Sequence, residues 1–324
     1  MRVRSRIAEC ASGPNTPSCD AGDVRNARAM NEKSGGPRVY KFTFMACIVG
    51  SAMCLAAYAE EGSSAATPLA DATALVAQPC PPDLVPPAAL ADLAKQTQTP
   101  GAGIDVAQVF ALPEVQAYQK AQQEQASRDW PNLCRYRAAN AALSRPPRVI
   151  FIGDSITEGW AKSDQTLFTN SVIGRGISGQ TTPQILLRFY QDVIQLHPRV
   201  VHIMAGTNDL AGNTGLSTEQ AVKDNVMAMV ELAHANKIRV VLASIPPASV
   251  FSWRPGMRPA AEIIRLNDWL RHYALQSGSR YADYYRLLAD PEGGFRSEYS
   301  NDGVHPNQAG YALMRDTALS AIGK

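Results

Sequence analysis

The stretch that most constrains this chain runs from Val149 to Trp160 and reads VIFIGDSITEGW. Its first four residues form a continuous apolar run, which is typical of a strand buried on both faces of a sheet. The run ends at Gly153, and the polar residues after it can begin a helix. The pattern therefore predicts that Ser155 lies at the carboxyl edge of a sheet, where open α/β sheets bind ligands and helix N-termini present N–H groups.

Strand and helix patterns alternate from Arg148 onward. This alternation predicts a parallel sheet with helices on both faces and right-handed crossovers. We therefore expect an α/β fold, a three-layer α/β/α sandwich with a parallel, about five-stranded flavodoxin-like sheet, plus an N-terminal helical extension. The predicted strands are 148–152, 171–174, 199–204, 238–244 and 280–283, and the predicted helices are 182–195, 218–236, 260–277 and 307–321.

The N-terminal extension, residues 1–59, has the features of a targeting segment. Residues 42–57 carry no charge, follow Arg38 and Lys41, and lead into Ala57-Tyr58-Ala59. A basic flank, an apolar core and a small-x-small site predict a signal peptide at 30–59, cleaved after Ala59. The protein is then exported, periplasmic or secreted. Because the run is shorter than the ~20 residues that span a bilayer, we expect no stable membrane span after cleavage; an uncleaved anchor is the alternative.

Only two of the six cysteines, Cys80 and Cys134, follow the predicted cleavage site. In an exported chain the two are expected to form a disulfide that closes a loop of about 50 residues, and two buried free thiols are the alternative. Neither has metal-ligand spacing, so we predict no metal site. The chain has no Walker-type phosphate loop and only a weak match to a dinucleotide fingerprint, so we also predict no cofactor. The exported part divides into a linker at 60–87, a helical extension at 88–146 and the α/β domain at 147–324.

The charge of the chain is unevenly distributed. Residues 1–41 carry eight Lys or Arg residues against four acidic ones, although the formal net charge of the whole chain is only +2. The remainder is close to neutral, so the composition gives no reason to expect a nucleic-acid partner. The oligomeric state stays open.

Four short segments carry side chains suited to one kind of chemistry. A serine hydroxyl such as that of Ser155 becomes a nucleophile only when a base takes its proton. The glycines of 176–182 allow a backbone N–H to approach a ligand closely. Asn208, in GTND after a predicted strand, offers a neutral N–H donor to a developing oxyanion. Asp302 and His305, three residues apart in DGVHPN, can pair so that the carboxylate fixes the tautomer of the imidazole.

Each of these segments has a simpler explanation when it is taken alone. An Asp-Ser pair is usually a helix cap, and an Asn-Asp pair is usually a turn. The joint occurrence of the four in this order is much harder to explain by chance. Asp154 and Asp209 flank two of the candidate residues, and we expect both to support their loops by accepting backbone hydrogen bonds.

With these four segments, residues 147–322 resemble the SGNH (GDSL-type) serine hydrolases, an esterase family. The resemblance implies that Ser155 is the nucleophile, His305 the general base and Asp302 the acid that orients it. It also implies that the oxyanion hole consists of the N–H groups of Ser155 and Gly179 and the side chain of Asn208. Ile156 replaces the Leu of the family's name, which leaves the chemistry unaffected.

The function expected from this resemblance is cleavage of a carboxylic ester through an acyl-Ser155 intermediate. Export and the lack of a broad apolar face favour short-chain, acetyl esters as substrates, with a small ester or an acylated carbohydrate as the partner. Phe251, Trp253 and Arg254 follow a predicted strand at the same edge and are candidates for the substrate pocket, although packing explains the aromatic residues equally well. A lysophospholipase or thioesterase is the alternative within the family. A catalytically silent carbohydrate-binding module is the alternative from another class.

Overall fold

The computed structural model describes residues 80–82, 84–98 and 106–323. The predicted signal peptide at 30–59, and most of the linker at 60–87, lie outside the described residues. The predicted parallel sheet is confirmed. Its five strands run in the order β2-β1-β3-β4-β5, and every neighbouring pair is parallel. The strands are β1 (Val149–Gly153), β2 (Val172–Gly176), β3 (Val200–Met204), β4 (Arg239–Ala243) and β5 (Arg280–Ala282).

The helices that connect and cover these strands begin and end within a few residues of the predicted limits. In the predicted helical extension, residues 106 to 128 form two helices, and Pro113 favours the start of the second. The helices are α1 (Ala88–Gln98), α2 (Val106–Phe110), α3 (Pro113–Arg128), α4 (Arg137–Ala141), α5 (Ser155–Ser163), α6 (Thr182–Asp192), α7 (Thr207–Leu210), α8 (Glu219–Ala235), α9 (Ala260–Gln276), α10 (Tyr285–Leu288) and α11 (Gln308–Ile322), with a 3₁₀ turn at Ile194–Leu196.

Side chains of β1 alternate between two hydrophobic cores, one on each face of the sheet. Ile150 and Ile152 pack in the core that contains apolar residues of α6, α8 and α9. Val149 and Phe151 pack in the core that contains residues of α5 and α11. All five residues of β1 are buried, which explains the continuous apolar run in the sequence. The three-layer arrangement follows from this two-sided burial.

Gly153 ends β1 where the backbone has no room for a side chain. A Cβ atom at this position would lie 2.3 Å from the carbonyl oxygen of Met204 and 2.3 Å from the Thr157 hydroxyl. Glycine is therefore required for the strand to pass this closely beside β3 and turn directly into α5.

In the structure the sulfur atoms of Cys80 and Cys134 lie within bonding distance, across a sequence separation of 54 residues. We expect the Cys80→Ser/Cys134→Ser variant to unfold at a lower urea concentration, with a loss of up to ~4 kcal/mol in the free energy of unfolding. The reason is that an open chain has more conformational entropy in the unfolded state. The wild-type protein under reducing conditions should match the variant, and identical midpoints for the oxidised wild type and the variant would contradict the prediction.

Among the described residues, no helix is both long enough and apolar enough to cross a membrane.

Candidate active site

The predicted segments meet at the carboxyl edge of the sheet. Ser155 is the first residue of α5, directly after β1, and Asn208 lies in α7, directly after β3. Gly179 lies in the loop between β2 and α6, with a φ of +78° that favours glycine. His305 lies in the loop before α11. The carboxyl ends of parallel strands lie at one edge of a sheet, so residues far apart in the chain come together there.

Ser155, His305 and Asp302 form a continuous hydrogen-bonded line. The Oγ atom of Ser155 lies 2.9 Å from Nε2 of His305. The other ring nitrogen, Nδ1, lies 2.7 Å from Oδ2 of Asp302. This is the geometry in which an imidazole takes a proton from a serine while a carboxylate holds its tautomer.

Asp302 is held in place by the turn that it begins. Its Oδ1 accepts hydrogen bonds from the backbone N–H groups of Val304, at 2.9 Å, and His305, at 2.8 Å. Gly303, which follows Asp302 directly, allows the chain to turn back with a φ of +75°. Burial alone would raise the pKa of Asp302, but the hydrogen bond and charge of His305, with the backbone donors, lower it to about 2. The carboxylate therefore stays ionised at neutral pH.

The pKa of His305 is set by two opposing effects. Burial disfavours the imidazolium form and lowers the pKa. The hydrogen bond and charge of Asp302 outweigh burial, so the pKa lies above its ordinary value of 6.5. The raised pKa reflects an imidazolium that Asp302 stabilises, and it makes the ring a stronger base than a free imidazole.

Asn208 is 4% exposed and lies beside Asp154, at the start of α5, and Gln180, in the loop that carries Gly179. Its side-chain nitrogen donates to the carbonyl oxygen of Gln180 at 3.0 Å and lies 3.4 Å from a carboxylate oxygen of Asp154. Its side-chain oxygen accepts from Asn213 at 2.7 Å. The amide NH₂ group therefore lies between the segments that carry Ser155 and Gly179.

Asp154 and Asp209 each accept hydrogen bonds from the first turn of a helix. Asp154 is the N-cap of α5 and accepts from the Ile156 N–H at 3.0 Å, and burial raises its pKa to about 6. Asp209 accepts from the backbone N–H of Thr182 at 2.9 Å and from its hydroxyl at 2.6 Å, so it fastens α7 to the start of α6. Burial raises the pKa of Asp209 as well.

The three candidate pocket residues differ in their positions. Phe251 is fully buried in the core, so it does not line the cleft, and the pocket assignment for this residue is wrong. Trp253 is 40% exposed, and its ring centre lies 6.4 Å from that of His305. Arg254 is exposed and donates to the carbonyl oxygen of Gly212 at 3.2 Å. Burial depends on what the rest of the chain packs above the loop, which the local pattern does not specify.

A buried arginine that no local sequence pattern indicates, Arg188, connects the end of β1 with the loop that carries Gly179. The guanidinium of Arg188 donates to the carbonyl oxygen of Gly153 at 2.9 Å and to the side-chain oxygen of Gln180 at 2.6 Å, and it pairs with Asp192 at 3.0 Å. Gln180 also donates to the carbonyl oxygen of Pro131 in the helical extension, at 2.8 Å. An arginine in an amphipathic helix usually faces solvent, so the pattern gave no sign of these contacts.

Among the described residues, no group of three or more His, Cys, Asp or Glu side chains is arranged to hold a metal ion. The histidine inside β3, His202, is fully buried; burial lowers its pKa to about 3, and it lies 2.9 Å from the hydroxyl of Tyr284. It therefore belongs to the core rather than to the site.

Comparisons with known proteins point to one family. Residues 151–313 match the sequence model of the GDSL-like lipase/acylhydrolase family. The solved structure of a GDSL-like lipase from Bacteroides thetaiotaomicron is 44% identical, with a TM-score of 0.58 over 60% of this chain and 98% of that chain. A mouse homologue of isoamyl acetate-hydrolysing esterase 1 is 28% identical over 210 residues, which are 56% of this chain and 84% of that protein.

A shorter match is to an uncharacterised lipoprotein of Bacillus subtilis, 34% identical over 80 residues. The match includes 24% of this chain and 32% of the lipoprotein, so the chain spans about a third of the length of this relative.

Proposed function

The chain belongs to the GDSL-like lipase/acylhydrolase family of ester-hydrolysing enzymes, and we propose that it cleaves carboxylic esters through an acyl intermediate on Ser155. The observation that carries the proposal is the hydrogen-bonded line from Ser155 through His305 to Asp302, with distances of 2.9 Å and 2.7 Å. A serine placed against an oriented imidazole is the arrangement that acyl transfer needs.

In the acylation step, Oγ of Ser155 attacks the ester carbonyl and Nε2 of His305 takes the hydroxyl proton. The negative charge that develops on the carbonyl oxygen is stabilised by hydrogen bonds from the N–H groups of Ser155 and Gly179 and from the side chain of Asn208. His305 then returns its proton to the alkoxide oxygen as the ester bond breaks, and the alcohol leaves. In the deacylation step, His305 deprotonates a water that attacks the acyl-enzyme. His305 then returns this proton to Oγ of Ser155 as the acyl–Oγ bond breaks and the carboxylic acid is released.

The Asn208→Ala variant should test the proposed oxyanion donor. Removal of one such donor typically lowers kcat by ~10²–10³-fold, because its hydrogen bond strengthens only in the transition state. KM should change little, and steady-state hydrolysis of nitrophenyl acetate measures both constants. Asn236→Ala is the matched control, since Asn236 lies at the opposite edge of the sheet, after α8, and should retain wild-type kcat. Full turnover by Asn208→Ala would remove Asn208 from the mechanism.

Short-chain, acetyl esters are the substrates that we propose, with the alcohol on a small molecule or a carbohydrate. The mouse relative is a homologue of an esterase named for an acetate ester. Because His305 must reach the leaving-group oxygen, the alcohol has to lie beside His305, and the half-exposed ring of Trp253 lies on that side. An exposed indole face can stack on the apolar face of a sugar ring.

The substrate proposal can be tested with a series of nitrophenyl esters of increasing acyl length and with acetylated sugars. Acetate should give the highest kcat/KM in the series. Trp253→Ala should raise KM for an acetylated sugar more than for ethyl acetate, because the ethanol leaving group is too small to stack on the indole ring. A preference for long acyl chains would favour the lysophospholipase alternative instead.

We also propose that the protein is exported. The uncharged segment at 42–57, with basic residues before it and Ala57-Tyr58-Ala59 after it, supports a cleaved signal peptide. The similarity to a lipoprotein is compatible with export. N-terminal sequencing of the mature protein should begin at Glu60, and recovery of the full chain from the cytoplasm would contradict the proposal.

A further inference from the structure

Asn213, in the loop after α7, contacts three parts of the candidate site at once. Its side-chain nitrogen lies 2.7 Å from Oδ1 of Asn208 and 3.4 Å from the carbonyl oxygen of Gly179. Its side-chain oxygen accepts from the indole N–H of Trp253 at 3.1 Å. A single amide thus contacts the Asn208 side chain, the carbonyl group of Gly179 and the aromatic residue beside His305.

The direction of these hydrogen bonds is fixed by the indole. The two ends of an asparagine amide are nearly the same in shape, so neighbouring donors and acceptors decide which end faces which partner. An indole N–H can only donate, so Oδ1 of Asn213 must face Trp253 and its NH₂ group must face Asn208. Asn208 then accepts through its own Oδ1, and its NH₂ group is directed away from Asn213.

The second contact of Asn208 agrees with this direction. Its NH₂ group donates to the carbonyl oxygen of Gln180 at 3.0 Å, and a carbonyl oxygen can only accept. If the Asn208 amide were reversed, two oxygens would face each other at Gln180 and two NH₂ groups would face each other at Asn213. Asn208 is 4% exposed, so water has little access with which to relieve these repulsive pairs.

We propose that Asn213, oriented by the Trp253 indole, is a positioning residue that holds the Asn208 side chain with its NH₂ group towards the oxyanion. The inference rests on the proposed function, and it adds a residue that acts through Asn208 without touching the substrate. Trp253 then has two roles that can be tested separately. Its ring lies beside His305, and its N–H determines the direction of the Asn213 and Asn208 amides.

The local backbone allows the side chain to be tested by itself. The backbone N–H of Asn213 donates to the carbonyl oxygen of Asn208 at 3.0 Å, and this bond closes the loop after α7 independently of the side chain. The Asn213→Ala variant should therefore keep the conformation of the loop and lose only the side-chain amide. We expect kcat for nitrophenyl acetate to fall about 10-fold with KM nearly unchanged, a part of the ~10²–10³-fold loss caused by complete removal of a donor.

Asn213→Asp should lower kcat further, towards the value of Asn208→Ala. The carboxylate of this variant can still accept a hydrogen bond from the indole of Trp253. Its second oxygen would face Oδ1 of Asn208, and the repulsion between the two oxygens favours the reversed orientation of the Asn208 amide. Trp253→Phe keeps an aromatic ring and removes only the N–H, so it should lower kcat in the same direction as Asn213→Ala and by a smaller factor. Asn236→Asp, at the opposite edge of the sheet, is the charge-matched control and should retain wild-type kcat.

A double-mutant cycle separates positioning from a general structural effect. In the Asn208→Ala background there is no amide to orient, so addition of Asn213→Ala should change kcat by less than about 2-fold. An equal loss from Asn213→Ala in both backgrounds would overturn the proposal, as would wild-type kcat in the single variant.

Labelling by a fluorophosphonate probe distinguishes the failure of this inference from the failure of the proposed function. Wild-type protein that is neither labelled at Ser155 nor active on any ester would contradict the proposed function itself. Wild-type protein that is labelled and active, together with an Asn213→Ala variant of equal kcat, would overturn only the positioning role.

Discussion

Replacement of Ser155 by alanine is expected to lower kcat for ester hydrolysis by about a million-fold, to the residual rate that binding and oxyanion stabilisation provide without a nucleophile. The expected loss is this large because Ala offers no atom that can form the acyl intermediate, and His305 is then left without the hydroxyl that lies 2.9 Å from its Nε2. The measurement is turnover of nitrophenyl acetate by the variant, together with covalent labelling by a fluorophosphonate probe, which should also be lost.

The matched control for this variant is Ser163→Ala. Ser163 lies in the same helix and donates to the carbonyl oxygen of Gly159 at 2.9 Å, away from His305. It should keep wild-type turnover and labelling. If Ser155→Ala retained turnover, another nucleophile would have to be sought. If the wild type bound acetylated sugars but hydrolysed no ester, the carbohydrate-binding alternative would replace the enzyme.

The Asp302→Asn variant is expected to lower kcat by about 10⁴-fold at neutral pH. A carboxylate can only accept, so it requires the proton of His305 to lie on Nδ1 and leaves Nε2 free to take the proton of Ser155. An asparagine amide can donate to Nδ1 instead, which favours the tautomer with its proton on Nε2. The imidazolium that forms during the reaction also loses the charge that stabilises it.

The pH profile gives this variant a second and independent readout. His305 must be neutral to act as a base, so kcat/KM should rise with pH through the pKa of His305 in the free enzyme. Burial lowers this pKa, and Asp302 raises it to a value above the ordinary 6.5. Removal of the Asp302 carboxylate removes the largest effect that raises the pKa of His305, while burial still lowers this pKa. The rise in kcat/KM should therefore move to lower pH in Asp302→Asn.

Asp316→Asn is the control for the change of charge, because Asp316 is an exposed carboxylate in α11, the helix that follows His305. Its pH profile should coincide with that of the wild type. A rise in kcat/KM that moved to higher pH in Asp302→Asn, or that did not move, would contradict the assignment of Asp302 as the partner that sets the pKa of His305.

Local sequence patterns were sufficient to predict the fold and the short segments that contain the candidate site residues. The apolar run at β1 predicted a strand buried on both faces because such a strand has no polar side, and burial of all five of its residues follows the same rule. The segment that contains Asp302 and His305 was equally informative, since a carboxylate and an imidazole three residues apart can meet within one turn. These predictions depend on contacts between near neighbours in the chain.

Contacts between distant segments could not be predicted in the same way. Phe251 and Trp253 are two residues apart in one loop, yet Phe251 is fully buried and Trp253 is 40% exposed. The buried position of Arg188 depends on the carbonyl oxygen of Gly153, which is 35 residues away in the chain. The hydrogen bond of Trp253 to Asn213 crosses 40 residues.

The sequence by itself determined the parallel α/β fold and the four segments that meet at the carboxyl edge of the sheet, because hydrophobic periodicity and short motifs are local properties. Only the tertiary structure decided how the side chains at that edge face one another. The directions of the Asn213 and Asn208 amides depend on which donors and acceptors surround them. Those partners are brought together by strands β1, β2 and β3 and by the loop after β4, and no local pattern specifies how these distant segments contact one another.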